Sequence, residues 1–137
     1  MPLSFIVIDE NEFDCFIAGK IINFKDKRAD VKAFRNAQLA LDFLRITPEK
    51  TDKNPTVIFL DLQMPIMNGY QFVNEFENLP SEIQNGYRII VLSATRNVSD
   101  ISRILNYPSV QSILEKPLTK EKINEVFNQL AFLKPVK

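Results

Sequence analysis

Two hydrophobic rhythms alternate along the chain. Short runs rich in β-branched and aromatic residues occupy positions 4–8, 31–34, 57–61, 88–92 and 110–114, and these read as strands. Between them the apolar residues recur at helical spacing. Phe13, Ile17, Ile21 and Phe24 follow the first strand, with Phe16 on the flank, and Leu39, Leu41, Phe43 and Leu44 follow the second in a helix that stops before Pro48. Residues 47–54 are polar and predict a surface loop. Asn68 is placed to cap a helix over 69–76, with Gly69 easing a tight entry. Helices are also predicted over 98–105 and 119–133, the last with Ile123, Val126, Phe127 and Leu130 on one face. Ile101, Ile104 and Leu105 read most simply as core. Five βα units of this kind predict an α/β fold, a five-stranded parallel sheet with helices on both faces in the flavodoxin-like, doubly wound (βα)5 manner.

The third strand carries most of the information. Val57-Ile58-Phe59-Leu60 is wholly apolar, ends on Asp61, and enters Leu62-Gln63-Met64-Pro65-Ile66-Met67-Asn68-Gly69. Such a run predicts a strand buried on both faces. Ligands gather at the carboxyl ends of strands in open parallel sheets, so Asp61 stands where a site would form. The same edge would carry Asp9-Glu10 after the first strand, Ser93-Ala94-Thr95 after the fourth and Lys116-Pro117 after the fifth.

Composition narrows the chemistry. At 137 residues the chain fits a single domain, 1–137, with no output domain expected. Lys plus Arg and Asp plus Glu each number 17, so there is no net basic field to hold nucleic acid or a membrane surface. The sequence has no histidine, which removes Ser-His hydrolases, His-ligated zinc and imidazole bases together. A lone cysteine, Cys15, cannot form an internal disulfide and suits a reducing compartment; with no leader pattern and no apolar run of roughly 20 residues, a soluble cytoplasmic protein is expected. Chemistry must therefore run on carboxylates, hydroxyls and lysine. Three carboxylates at one edge repel one another and call for positive charge. Mg²⁺, which takes oxygen ligands and keeps several waters, is the economical answer, and Lys116 supplies a second cation. With the Ser93 hydroxyl, the set forms a cradle for a phosphoryl group, whose transfer needs an in-line nucleophile and charge neutralisation.

Taken in order, Asp9-Glu10, Asp61 in its Met-Pro and Asn-Gly turn, Ser93-Ala94 and Lys116-Pro117 closely resemble the receiver domain of two-component response regulators, single-domain and chemotaxis-regulator-like, over essentially the whole chain. The resemblance implies that Asp61 is the phosphoacceptor for a sensor histidine kinase or histidine phosphotransfer protein. It implies Mg²⁺ held by Glu10, Asp61 and the backbone carbonyl of Gln63, with Asp9 acting through a metal-bound water. Lys116 would pair with Asp61 before transfer and with the phosphoryl group after it, and Ser93 would bond a phosphoryl oxygen. Gln63 and Thr95 would tune the phosphate lifetime, and Pro117 would follow a cis peptide bond. A docking partner would meet Asn11, Asp14, Cys15 and Leu118, and a downstream protein could read the phosphorylated state. The chain departs from the family at Ile113, where an aromatic switch residue is usual, at Asn106-Tyr107-Pro108, where a Gly-Ala turn is common, and in having Asp-Glu as its acidic pair.

Blander explanations attach to each residue singly. Asp61 could be a turn residue, Asp9 and Glu10 favourable charges at a helix N-terminus, Lys116-Pro117 a surface turn, and Met64 and Met67 packing groups. Two functional alternatives stand beside the phosphoacceptor: a pseudo-receiver that binds partners without phosphorylation, favoured by Ile113, and an aspartate-nucleophile phosphohydrolase. The latter commonly needs a second acid two residues after the nucleophile, where this chain has Gln63.

Overall fold

Continuous burial along the central strands explains the architecture. In the computed structural model, which describes residues 3–46, 55–62, 67–94 and 97–130, five strands form one parallel sheet: β1 (Ser4–Ile8), β2 (Asp30–Phe34), β3 (Thr56–Asp61), β4 (Tyr87–Ser93) and β5 (Val110–Glu115). Their order is β2-β1-β3-β4-β5, every neighbouring pair is parallel, and the order reverses between β1 and β3. That reversal opens the crevice where ligands bind in doubly wound sheets. In β1, β3 and β4 successive side chains serve opposite faces, and both faces are apolar. Ile6, Ile8, Ile58, Leu60, Ile89 and Val91 belong to one core, and Phe5, Val7, Val57, Phe59, Ile90 and Leu92 to the other. β2 is a mostly exposed edge carrying the Lys32–Asp30 pair at 3.6 Å.

Six helices lie among the described residues: α1 (Glu12–Lys25), α2 (Ala37–Ile46), α3 (Gly69–Glu77), α4 (Ser81–Gln84), α5 (Val98–Leu105) and α6 (Lys120–Leu130). α1 and α6 cover the face of Phe5 and Phe59, while α2, α3 and α5 cover the other. Asn68 caps α3 as expected, accepting from the Gln71 amide at 3.0 Å while Gln71 accepts from the Asn68 amide at 2.9 Å, a reciprocal capping box. Gly69 is required by close approach, because a Cβ there would stand 2.9 Å from the Leu62 Cα and 3.0 Å from its Cδ1. None of these helices is long and apolar enough to cross a membrane.

Several packing expectations are corrected. The buried stripe of α1 is Cys15, Ala18 and Ile22, with Ile17 and Ile21 at its margin, while Phe13, Phe16 and Phe24 are exposed. The small Ala18 lets the helix lie close to the sheet, and the outward rings are partly covered by cations, Lys20 over Phe16 at 5.3 Å and Lys120 over Phe24 at 4.0 Å. Leu39 is likewise exposed, and α2 buries Ala37, Ala40, Leu41 and Leu44. Of the three α5 residues read as core, only Ile104 is fully buried; Ile101 is half-buried and Leu105 exposed. The short α4 was not predicted. In α6, Ile123 and Val126 are buried and Phe127 stacks on Phe5 at 5.6 Å. The loop expected at 47–54, Met64, Pro65, the Leu130 side chain and residues 131–133 of the last helix lie outside the described residues.

Candidate functional site

The carboxyl ends of β1, β3, β4 and β5 bring Asp9, Asp61, Ser93 and Lys116 to one edge of the sheet. Asp61 pairs in register with Leu92, one residue before Ser93, and Ser93 in turn pairs with Glu115, one before Lys116. The Ser93 carbonyl accepts from the Lys116 amide at 2.9 Å, which ties the lysine loop to β4. The Lys116–Pro117 bond is cis. Asp9, Glu10, Asn11, Asp14, Asp61, Ala94 and Lys116 line a cleft of about 450 Å³ open to solvent. Ser93, next to Ala94 at the end of β4, is buried.

Asp9 is the most constrained of the acids. Its amide donates to the Phe34 carbonyl at 3.0 Å, its Oδ1 accepts from the Asn11 amide at 2.9 Å, and its Oδ2 accepts from Lys116 Nζ at 2.9 Å. The same ammonium lies 3.3 Å from Asp14 Oδ2 and 3.4 Å from Asp61 Oδ1. Asp9 and Asp61 are buried, so one cation is shared between two carboxylates shielded from water and offsets only part of their charge. Burial by itself would lower the Lys116 pKa, but the Asp9 hydrogen bond, the Asp61 and Asp9 charges and the Asp14 hydrogen bond outweigh it and hold the ammonium above its ordinary value. Arg35, which the sequence did not single out, steadies the loop after β1: its Nε donates to the Glu10 carbonyl and its Nη1 to Glu12, both at 3.1 Å. Asp14 in contact with Lys116 was also not foreseen. Both pairings join residues far apart in sequence, which no local pattern records.

Glu10 is exposed on the rim of the cleft, and Ile113 is half-buried against the core beneath α5. Gln63 and Thr95 lie outside the described residues. Cys15 and Leu118 are buried, so neither presents a surface to a docking partner, whereas Asn11 is exposed and Asp14 half-exposed. Cys15 donates to the Asp9 carbonyl at 3.3 Å, and burial together with the Asp9 charge pushes its thiol up to about 11, an inert structural cysteine. For a metal ion, Asp9, Glu10 and Asp61 offer the hard oxygen donors that Mg²⁺ takes. Among the described residues, however, no three acidic or thiol groups are gathered closely enough to hold an ion as they stand, with the Lys116 ammonium between Asp9 and Asp61.

The family model of the response regulator receiver domain matches residues 5–128. The chain belongs to the response regulator receiver family. Receiver domains are signalling modules of two-component systems, and the fold agrees throughout. A response regulator receiver protein from Dyadobacter fermentans is 32% identical, covering 93% of this chain and 96% of its own, with a TM-score of 0.80. A two-component response regulator from Cytophaga hutchinsonii, 20% identical, superposes over 96% of this chain and 99% of its own with a TM-score of 0.79. The Probable methanogenesis regulatory protein FilR2 of Methanothrix harundinacea is 21% identical over 94% of this chain and 81% of its own length. These likenesses bear out the parallel α/β fold read from the strand and helix pattern, and with it the resemblance to receiver domains.

Proposed function

We propose that this receiver domain is a phosphoacceptor: Asp61 takes a phosphoryl group from a phosphohistidine on a sensor histidine kinase or phosphotransfer protein, and a protein partner reads the change. The observation that carries this reading is the Lys116 ammonium, 2.9 Å from Asp9 and 3.4 Å from Asp61 at an open cleft on the carboxyl edge of the sheet. An Asp61 oxygen attacks phosphorus, an O–P bond forms, and the P–N bond to the donor imidazole breaks with the electron pair leaving on nitrogen. Lys116 then donates to a phosphoryl oxygen and Ser93 supplies a hydroxyl donor from the end of β4. Glu10, Asp61 and the Gln63 carbonyl would hold Mg²⁺, with Asp9 acting through a water, and the ion would neutralise charge on the phosphoryl oxygens. Gln63 and Thr95 set the lifetime of the product by orienting or obstructing water. Asn11 and Asp14, beside the exposed Phe13 and Phe16 on the first turns of α1, form the docking surface for the donor.

The test is intact mass after incubation with Mg²⁺ and acetyl phosphate, beside Asp61→Asn. One phosphoryl adduct is expected on the native chain, absent from the variant and from a magnesium-free sample. No adduct from acetyl phosphate or from a phosphohistidine donor would overturn the reading in favour of a pseudo-receiver, and steady phosphate release from many esters would point to a hydrolase.

A further inference from the structure

The lysine of the site has a partner that the strand ends do not supply. Three carboxylates surround the Lys116 ammonium, and only two of them, Asp9 and Asp61, come from the strand ends that build the phosphoacceptor edge. The third, Asp14, projects from the first turn of α1, and its backbone is pinned there because the Asp14 amide donates to the Asn11 Oδ1 of the helix cap at 3.0 Å. Asp14 stands on the wall between two spaces. It lines the polar cleft with Asp61 and Glu10, and also an apolar pocket of about 300 Å³ formed with Ile17, Leu92, Pro117 and Leu118. One positive charge serves three carboxylates at once, and the 3.3 Å contact with Asp14 draws it toward α1. Attraction spent on Asp14 weakens the field that the ammonium presents to Asp61 and to any phosphoryl group that Asp61 comes to carry.

We infer that Asp14 is a positioning residue: it competes with Asp61 for the Lys116 ammonium, holds the lysine toward α1, and so restrains the acceptor until the ammonium is released to the phosphoryl group. The inference rests on the phosphoacceptor reading above for its effect on rate, but the contact itself can be tested apart from it. Because Asp14 lies on the surface proposed for docking, a donor protein that engages the Asp14 carboxylate would free Lys116 at the moment of transfer. The lysine is thus regulated through α1, with no requirement for a change in the sheet.

Two measurements on the full chain decide the matter, using Asp14→Asn, Asp14→Glu and Glu12→Gln. Glu12 lies on the same turn of α1, but its carboxylate meets Arg35 at 3.1 Å, so Glu12→Gln removes a charge of the same sign without touching Lys116. The first measurement is trace acetylation of Lys116 by acetic anhydride at about pH 9, relative to the exposed Lys32, which reports the free-amine fraction. Asp14→Asn is expected to raise the ratio about two- to fivefold, the size of a half-exposed ion pair lost, with Glu12→Gln unchanged and Asp14→Glu returning toward the native value. The second is the rate of adduct formation with acetyl phosphate at saturating Mg²⁺, expected to rise by a similar factor in Asp14→Asn alone. An unchanged Lys116 ratio in Asp14→Asn, or an equal rise in Glu12→Gln, overturns the inference, as does an adduct rate in Asp14→Asn no faster than native. If no form of the chain takes a phosphoryl group, the phosphoacceptor reading fails, and the acetylation ratio still decides whether Asp14 holds the lysine.

Discussion

Replacing Lys116 with methionine keeps most of the side-chain volume and removes the charge on which the acidic edge depends. In the native chain that charge lies 2.9 Å from Asp9 and 3.4 Å from Asp61, both buried, and 3.3 Å from the half-exposed Asp14. Breaking a buried pair by removing one partner costs about 3–5 kcal/mol, because the remaining charge is left without compensation. Two features pull the expectation to the lower end. Asp14 faces water and contributes only the fraction of a kcal/mol typical of exposed pairs, and the cleft is open enough for solvent to reach part of the site. We expect Lys116→Met to lose about 3 kcal/mol at pH 7, equivalent to a fall in Tm of roughly 10 °C for a chain of this size. The assay is urea denaturation with and without the substitution, with Lys32→Met as the control, since the Lys32–Asp30 pair is exposed and its loss should stay within about 0.5 kcal/mol. A loss below 1 kcal/mol would refute the account of Lys116 as the counter-charge of a buried acidic pair.

The remaining expectations follow from single contacts. Gly69→Ala places a Cβ against the Leu62 backbone at 2.9 Å; overpacking of about 1–3 kcal/mol is offset by about 0.4–1 kcal/mol from the stiffer unfolded chain, and a net loss of about 1–2 kcal/mol in denaturant titration is expected. Cys15, with its thiol raised to about 11 from an ordinary 9.0, has roughly a hundredfold less thiolate at neutral pH, so iodoacetamide should label the native chain at least that much more slowly than the urea-unfolded one. Because the folded Lys116 holds its proton more tightly than the unfolded chain does, its contribution to stability is complete below the unfolded lysine value of about 10.5 and is lost as pH rises through the folded one. A pH series of denaturation curves from 9 upward should therefore fall more steeply for the native chain than for Lys116→Met.

Much of this protein is written in local pattern. The apolar runs of β1, β3 and β4 serve two cores at once, so they appear as unbroken hydrophobic strands, and helices with a single buried stripe appear between them. Placing Asp9, Asp61, Ser93 and Lys116 on one edge required only that the strands be parallel, because each of these residues stands at or just beyond a strand's carboxyl end. Capping by Asn68 was legible for the same reason, since a cap is made within four residues. Which stripe of α1 would turn inward was not legible. Phe13, Ile17, Ile21 and Phe24 and the set Cys15, Ala18 and Ile22 both recur at helical intervals, and periodicity alone cannot rank them. The sheet chose the stripe whose small Ala18 permits close packing and left Phe13, Phe16 and Phe24 outside, the last two beneath lysines. The partners of Lys116 were equally hidden: Asp9 and Asp14 are 107 and 102 residues away along the chain, and only the closing of β5 against β4 sets their distances. Sequence determined the type and order of the elements and the chemistry available at their ends, because those depend on neighbours a few residues apart. Tertiary structure alone decided which carboxylates share the ammonium and which aromatic rings meet solvent, because charge pairing and packing depend on distances through space.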